Sequence, residues 1–301
     1  MEDTKILNNQ FFYKRALTEE ETQKLKKIIF DILCDFASAC QSQSIRYSLA
    51  YGSLLGAKRH QGFIPWDDDI DVMLLRADFD RLPAIMEKTF PGKYIIRMPG
   101  DDKNDPIRFA KIMVKNTTFL EIEYEGLAEK RNFWRGISID VYPLDFVPES
   151  QKKQKTWYKH CRFYGSAGGA ERDFKFPSKT FLQEAKENKN FAKQFRKRRI
   201  IGFFYSVFPI RTWIKLFENY VRKEKPSSYV GFLASPFRSP NTLIFSFSDF
   251  VNAKPLRFET KDFLCFDHPE EVLSKIYGDW NVIPKDAGKE KHIIYKIDFG
   301  Q

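Results

Sequence analysis

Ile64–Leu74 reads IPWDDDIDVML, four aspartates in five residues running straight into an apolar segment. In an extended chain, side chains two residues apart share a face. Asp69 and Asp71 therefore project together, Asp67 joins them where the strand starts, and Asp68 points away. Ile70, Val72 and Leu74 line the other face and anchor the strand in a core. Adjacent carboxylates repel unless a cation neutralises them, and hard oxygen ligands of this kind suit Mg²⁺ or Mn²⁺. A solvated acidic turn or a Ca²⁺ loop uses similar residues. Neither runs directly into a buried strand, and a buried charge must be paired or coordinated.

Upstream lies YGSLLGAKRH, Tyr51–His60, following the strand-like RYSLAY, Arg46–Tyr51. A strand ending in Gly-Ser at a helix start offers backbone N–H groups and the positive end of a helix dipole, the makings of a phosphate site. Gly52 permits close backbone approach. Ser53 is placed at the same turn, and Lys58, Arg59 and His60 are candidates to add positive charge for a diphosphate. Ordinary helix capping explains Gly-Ser equally well; its position before the carboxylate strand gives it weight. Downstream, RGISIDVYPLD sets Asp140 among Ile137, Ile139 and Val141, with Pro143 expected to stop the strand and Asp145 expected to act as a cap after that turn. Asp140 in such a setting needs a partner, and the metal group at Asp69 and Asp71 is the natural one.

Around these motifs, Thr18 and Glu21 form a capping box ahead of a helix expected to run to about residue 42. ADFDRLPAIMEKTF is helical, limited by Pro83. YIIRM, RFAKIMV and TFLEIE read as strands. Lys, Arg and Phe with helical spacing dominate from about 150 to 225, followed by a Pro/Ser-rich stretch, a hairpin pair LRFET and DFLCFD, and a helix beginning at Pro269. The expected fold class is α+β: a mixed sheet flanked by helices in a catalytic core over residues 1–150, and a mostly helical, basic and aromatic part over 151–301 that packs back on it.

The 301 residues carry a net charge of +10, an attraction for anions such as nucleotides or acidic surfaces. The charge is partly local: Glu187–Arg199 holds six basic residues against one acid. Next to it, Ile200–Ile210 is too short to span a bilayer, but basic residues beside Phe and Ile resemble an interfacial segment. Cys34, Cys40, Cys161 and Cys265 form no C-x-x-C pair, which argues against a zinc ribbon and for reduced thiols. The first ten residues lack the apolar stretch of a secretory signal, so a cytoplasmic protein is expected.

YGSLLGAKRHQGFIPWDDDIDVMLLRADFDRL, RGISIDVYPLDFVP and HPEEVLSKIYGDWNVIP together resemble the LicD family, over about residues 40–292. The resemblance implies a nucleotidyltransferase-like core and transfer of phosphocholine from CDP-choline to a sugar of a cell-surface glycan or its lipid-linked precursor, as in lipopolysaccharide or teichoic acid modification, with release of CMP. Fukutin-type relatives imply that ribitol phosphate is an alternative headgroup. Matching motifs assign Asp69, Asp71 and Asp140 as metal carboxylates for Mg²⁺ or Mn²⁺, and Gly52 and Ser53 as the phosphate-binding turn. Asp140 is also the candidate general base, with His60 and His292 as possible helpers and Trp66, Tyr124 and Trp134 as rings near the motifs for a trimethylammonium group. Two other readings stand beside it: a nucleotidyltransferase moving NMP from an NTP with release of pyrophosphate, and a non-catalytic basic binding protein. No nucleic-acid partner is expected.

Overall fold

The computed structural model describes residues 16–232, 240–283 and 293–300. Helix α1 (Glu19–Ser42) starts at the capping box: the Thr18 hydroxyl accepts from Glu21 N–H and the Glu21 carboxylate accepts from Thr18 N–H. It buries Leu25, Ile29, Ile32, Leu33, Phe36 and Cys40, one stripe at helical spacing. Strand β1 (Tyr47–Leu49), helix α2 (Tyr51–His60) and strand β2 (Asp71–Leu75) follow. Pro83 divides the next helical stretch into α3 (Arg76–Asp80) and α4 (Leu82–Thr89). Then come β3 (Tyr94–Arg97), β4 (Ala110–Val114), β5 (Thr118–Glu121), α5 (Glu125–Arg131) and the long β6 (Ser138–Val147).

The remaining chain forms α6 (Gln151–Lys175), α7 (Lys179–Glu187), α8 (Lys189–Tyr205) and α9 (Ile210–Val221), then β7 (Tyr229–Gly231), β8 (Ile244–Ser246) and α10 (Phe247–Val251). The hairpin β9 (Lys254–Phe258) and β10 (Lys261–Cys265), helix α11 (Pro269–Tyr277) and β11 (Ile294–Asp298) complete it. The expected elements are present, and the class is α+β, with a helical stretch after residue 150.

The main sheet has the order β1-β2-β6-β4-β3, and β7 and β8 extend it from the end of β6. Only β2 and β6 run parallel; the others pair antiparallel. The expectation that Pro143 stops β6 is corrected: the strand continues through it to Val147. On one side β6 pairs with β2 from Asp140 to Leu144. On the other, β4 pairs only as far as Val141 and β7 begins at Asp145. Pro143 falls in the gap between these two partners, where its missing N–H breaks no antiparallel ladder.

Asp145 is also corrected, since it caps nothing. It is buried on β6, and the Arg76 guanidinium donates to both its oxygens at 2.7 Å. Glu218 of α9 accepts from the same guanidinium at 2.9 Å. That bidentate geometry is the strong form of such a pair, and it ties the helical part to the sheet.

The core is continuous through both halves. Leu25, Ile29 and Phe36 of α1 join Val72 and Leu74 of β2, Ile139 and Val141 of β6, and Phe217 of α9, Phe245 of β8 and Phe263 of β10 in one buried cluster. The four cysteines are free.

Candidate active site

The parallel register sets Asp71 directly beside Asp140, and the antiparallel register sets Lys111 on β4 beside Asp140 in turn. Three charged side chains therefore line one row across β2, β6 and β4. Lys111 Nζ donates to Asp140 Oδ1 at 2.5 Å, with the lysine buried. Asp69 lies just before β2. Burial first, then the charges of Asp69, Asp140 and Asp67, push the Asp71 carboxyl well above the ordinary range, and Lys111 opposes them. Such crowding of carboxylates on a buried strand is the donor chemistry that accepts a hard divalent cation, so these residues fit the expected Mg²⁺ or Mn²⁺.

Among the described residues, the tightest trio of possible metal ligands is elsewhere: Asp249, Asp267 and His268, whose ligand atoms lie within 4.8 Å of one another. There the chain supplies its own cations. His268 Nδ1 is 2.8 Å from Asp249 Oδ1, and Lys254 pairs with Asp267. That group secures the start of α11.

Helix α2 starts against this row. Ala50 N–H donates to Asp71 O at 2.9 Å, and Asp71 N–H donates to Ser53 Oγ at 2.8 Å. The buried Ser53 hydroxyl thus fixes the start of β2 to the first turn of α2. A β-carbon added at Gly52 would lie 2.5 Å from Asp67 Oδ2, so any other residue there would push the Asp67 carboxylate aside. Tyr51 takes φ 44°, a left-handed conformation that strains a tyrosine. The first N–H groups of a helix have no intrahelical acceptor, and here they open beside the aspartate loop.

Lys58, Arg59 and His60 lie at the other end of α2, and the structure does not join them to the aspartates. Gly52 and Lys58 are about 9 Å apart along the helix axis at ~1.5 Å per residue. Lys58 pairs with Glu270 at the start of α11. Arg59 donates to Trp280 O at 2.8 Å and to His60 Nε2 at 2.9 Å. Burial, followed by the Arg59 charge, lowers the His60 pKa. His292 lies outside the described residues.

Three contacts hold the loop that carries the aspartates. The buried Lys26 of α1 donates to Ile64 O at 3.3 Å and Pro65 O at 3.2 Å. Glu259, in the turn between β9 and β10, accepts from Phe63 N–H at 2.9 Å and donates its own N–H to Gln61 O at 2.8 Å. Gly56 closes the set, since a β-carbon there would lie 2.4 Å from Gly62 O.

The rings beside the carboxylates are ones that sequence reading missed. Tyr142, two residues after Asp140 on the same face of β6, packs edge-on to Tyr51 at 5.2 Å, against Phe109 at 4.7 Å and edge-on to Phe232 at 4.9 Å. Lys111 stands 5.3 Å from the Phe109 ring. Burial and the charges of Asp71 and Asp140 raise the Tyr142 pKa. The rings considered from sequence are otherwise engaged. Tyr124 carries the guanidinium groups of Arg135 at 3.8 Å and Arg172 at 4.6 Å, Trp134 Nε1 donates to Thr117 O, and Trp66 packs on His60.

Comparison with known proteins places this geometry in a lineage. Residues 44–184 match the LicD/FKTN/FKRP nucleotidyltransferase domain, a span that holds the aspartate loop, Lys111 and Asp140. The chain is 25% identical over 283 residues to the lipopolysaccharide cholinephosphotransferase LicD of Haemophilus influenzae, covering 93% of this chain and 97% of that protein. It is 25% identical over 185 residues to an uncharacterised protein of Rickettsia prowazekii (53% of this chain, 68% of that one). It is 35% identical over 156 residues to another from Rickettsia typhi (48% and 50%). The long match to a cholinephosphotransferase and the domain match point the same way: the nucleotidyltransferase domain of the LicD family is recognised over residues 44–184 of this chain.

Proposed function

We propose that the chain transfers a phosphorylated headgroup, phosphocholine first among them, from a CDP-linked donor to a hydroxyl of a cell-surface glycan or its lipid-linked precursor, releasing CMP. The observation that carries the proposal is the in-register pair of Asp71 and Asp140 on parallel strands, with the charge of Asp69 acting on the same carboxyl. The name of the Haemophilus influenzae relative supports phosphocholine as headgroup and lipopolysaccharide as acceptor class.

In this reading, Asp69, Asp71 and Asp140 hold a divalent cation, which supplies positive charge toward the donor diphosphate and the leaving CMP. The chain's own residues do the rest. The first-turn N–H groups at Gly52 and Ser53 bind phosphate oxygens. Lys111 fixes one oxygen of Asp140 and adds positive charge at the site. Asp140 keeps its second oxygen for the cation or for the proton of the attacking hydroxyl. The acceptor oxygen forms the new bond to the headgroup phosphorus as the bond to CMP breaks. The rings of Tyr51, Phe109 and Tyr142 present π-faces and edges on which a quaternary ammonium settles.

Incubation with CDP-choline and with CTP, each with Mg²⁺ and a glycan acceptor, tests the reading. CMP from CDP-choline is the expected product. Pyrophosphate from CTP, with no turnover of CDP-choline, would assign the carboxylates to nucleotidyl transfer instead. Thermal stabilisation by CDP-choline, CDP-ethanolamine, CDP-ribitol and CDP-glycerol ranks the headgroups, because a ligand bound only by the folded state raises its melting temperature.

A further inference from the structure

Among the described residues, the densest run of exposed large apolar side chains is far from the carboxylates in sequence. Ile200, Phe203, Phe204, Val207 and Phe208 are 54%, 57%, 67%, 76% and 49% exposed. All five fall within nine consecutive residues at the corner where α8 meets α9. The two helices turn through 83° there, and among the described residues no single helix is long and apolar enough to cross a membrane. The inner side of the corner is well built. Trp213, Ile214, Phe217 and Val221 of α9 are buried, and Trp213 Nε1 donates to Tyr205 O at 3.0 Å. At its far end, α9 is held by the pairing of Glu218 with Arg76. The corner is a rigid, outward-facing edge. Exposed apolar patches rimmed by polar residues mark contact surfaces.

The charge around the corner selects its occupant. From Lys189 to Phe217 the chain carries eight basic residues and no acid. Arg198 is paired with Asp173, whereas Arg196, Lys197, Arg211 and Lys215 are exposed. A second copy of the chain would bring two such basic segments together, which like-charge repulsion opposes. An anionic bilayer surface satisfies both features at once: acyl boundary for the phenyl rings and headgroup charge for the cations.

We infer that the α8–α9 corner is a membrane-docking edge that inserts Phe203, Phe204, Val207 and Phe208 into the interface of an anionic bilayer while its Lys and Arg residues engage the headgroups. This surface places the chain where lipid-linked sugars reside. It does not rest on the transfer reading, since binding needs neither donor nor acceptor.

Flotation of the full chain with vesicles of phosphatidylglycerol and phosphatidylcholine, and with phosphatidylcholine alone, is the test. The chain should float with the anionic vesicles and fall away from them as salt rises. The double variant F204D/V207D should lose about ten-fold or more in partition, with an unchanged melting temperature because both side chains face solvent. The variant R196Q/K197Q should bind several-fold more weakly with a shallower salt dependence. Equal flotation with neutral vesicles, flotation with neither, or unaltered binding of F204D/V207D would overturn the inference. So would a dimer in lipid-free sedimentation that Phe204→Asp dissociates, since it would give the patch to a second copy.

Discussion

Two of the protein's groups of charge are built on opposite plans. Around Tyr124, four arginines (Arg97, Arg135, Arg172, Arg198) meet four acids (Asp105, Glu121, Glu123, Asp173). Each guanidinium has a carboxylate within 4 Å, and Arg135 and Asp105 are 3% and 2% exposed. At Asp71, three carboxylates (Asp69, Asp140, Asp67) act against one ammonium, Lys111. Burying charge is costly unless it is paired. The first group is balanced and holds α6, α8 and the loop before β4 together. The second carries an excess of negative charge at Asp71, which the cation of the proposed function would complete.

The largest expected effect comes from the imbalanced side. Asp69→Asn and Asp140→Asn should each lower transfer by on the order of 10³-fold, roughly 4 kcal/mol of transition-state stabilisation. Circular dichroism and melting should remain those of a folded chain. Turnover within ten-fold of wild type in either variant would remove the carboxylates from the chemistry.

Second in size is a break in the balanced group. Arg135→Met leaves the buried Asp105 with only its 3.7 Å contact to Arg97 and should lower stability by about 3 kcal/mol. Adding Asp105→Leu to it should recover much of the loss. Chemical denaturation of the single and double variants measures both, and a harmless single variant would show that the pairing there is ornamental.

Asp71→Asn sharpens the contrast because its sign is reversed. The folded-state pKa of Asp71 is raised, so the ionised carboxylate destabilises the cation-free fold at neutral pH. Replacing it should stabilise the chelator-treated chain by about 1–2 kcal/mol while abolishing transfer. A lower melting temperature for this variant under chelation would contradict the charge imbalance.

The smallest effect is in pH. For a raised folded pKa, the favourable contribution is fully present below the unfolded value and is lost as pH rises through the folded one. Under chelation, the wild-type chain should therefore gain stability as pH falls from neutrality toward the ordinary carboxylate range, and Asp71→Asn should flatten that gain. Arg135 is held above its usual pKa: Asp105 leads the charges that outweigh burial. The balanced group should slope the opposite way at the lower end of this window, because Arg172 outweighs burial and holds the Glu123 carboxyl below its ordinary value. Melting profiles of wild type, Asp71→Asn and Arg135→Met against pH resolve the two.

Much of the fold and part of the site were legible in residues close together in sequence. The Thr18–Glu21 box, the alternation in DIDVML and the lone acid in GISIDV are local signals, and they located α1, β2 and the Asp140 position on β6. A charge within an apolar strand needs a partner, and that rule singles out Asp140. Applied to RFAKIMV, the same rule would have found Lys111, its actual neighbour. Other features were illegible because they depend on distant partners. Lys58 meets Glu270 more than two hundred residues later, and Arg76 meets Asp145 and Glu218. The role of Ser53 at Asp71 N–H, and the meeting of Tyr51, Phe109, Tyr142 and Phe232, likewise exist only once the strands are in register.

The passage of β6 through Pro143 has a practical consequence. Residues 145–147 are paired to 229–231, so the sheet that carries Asp140 is finished by chain emerging some eighty residues later. Cutting after residue 150 to obtain a minimal enzyme would leave Phe146 and Val147 on a naked strand edge, inviting fibrous or amorphous self-assembly. Shortened versions for crystallography or library selection are better trimmed elsewhere, with the segment through Ser246 retained.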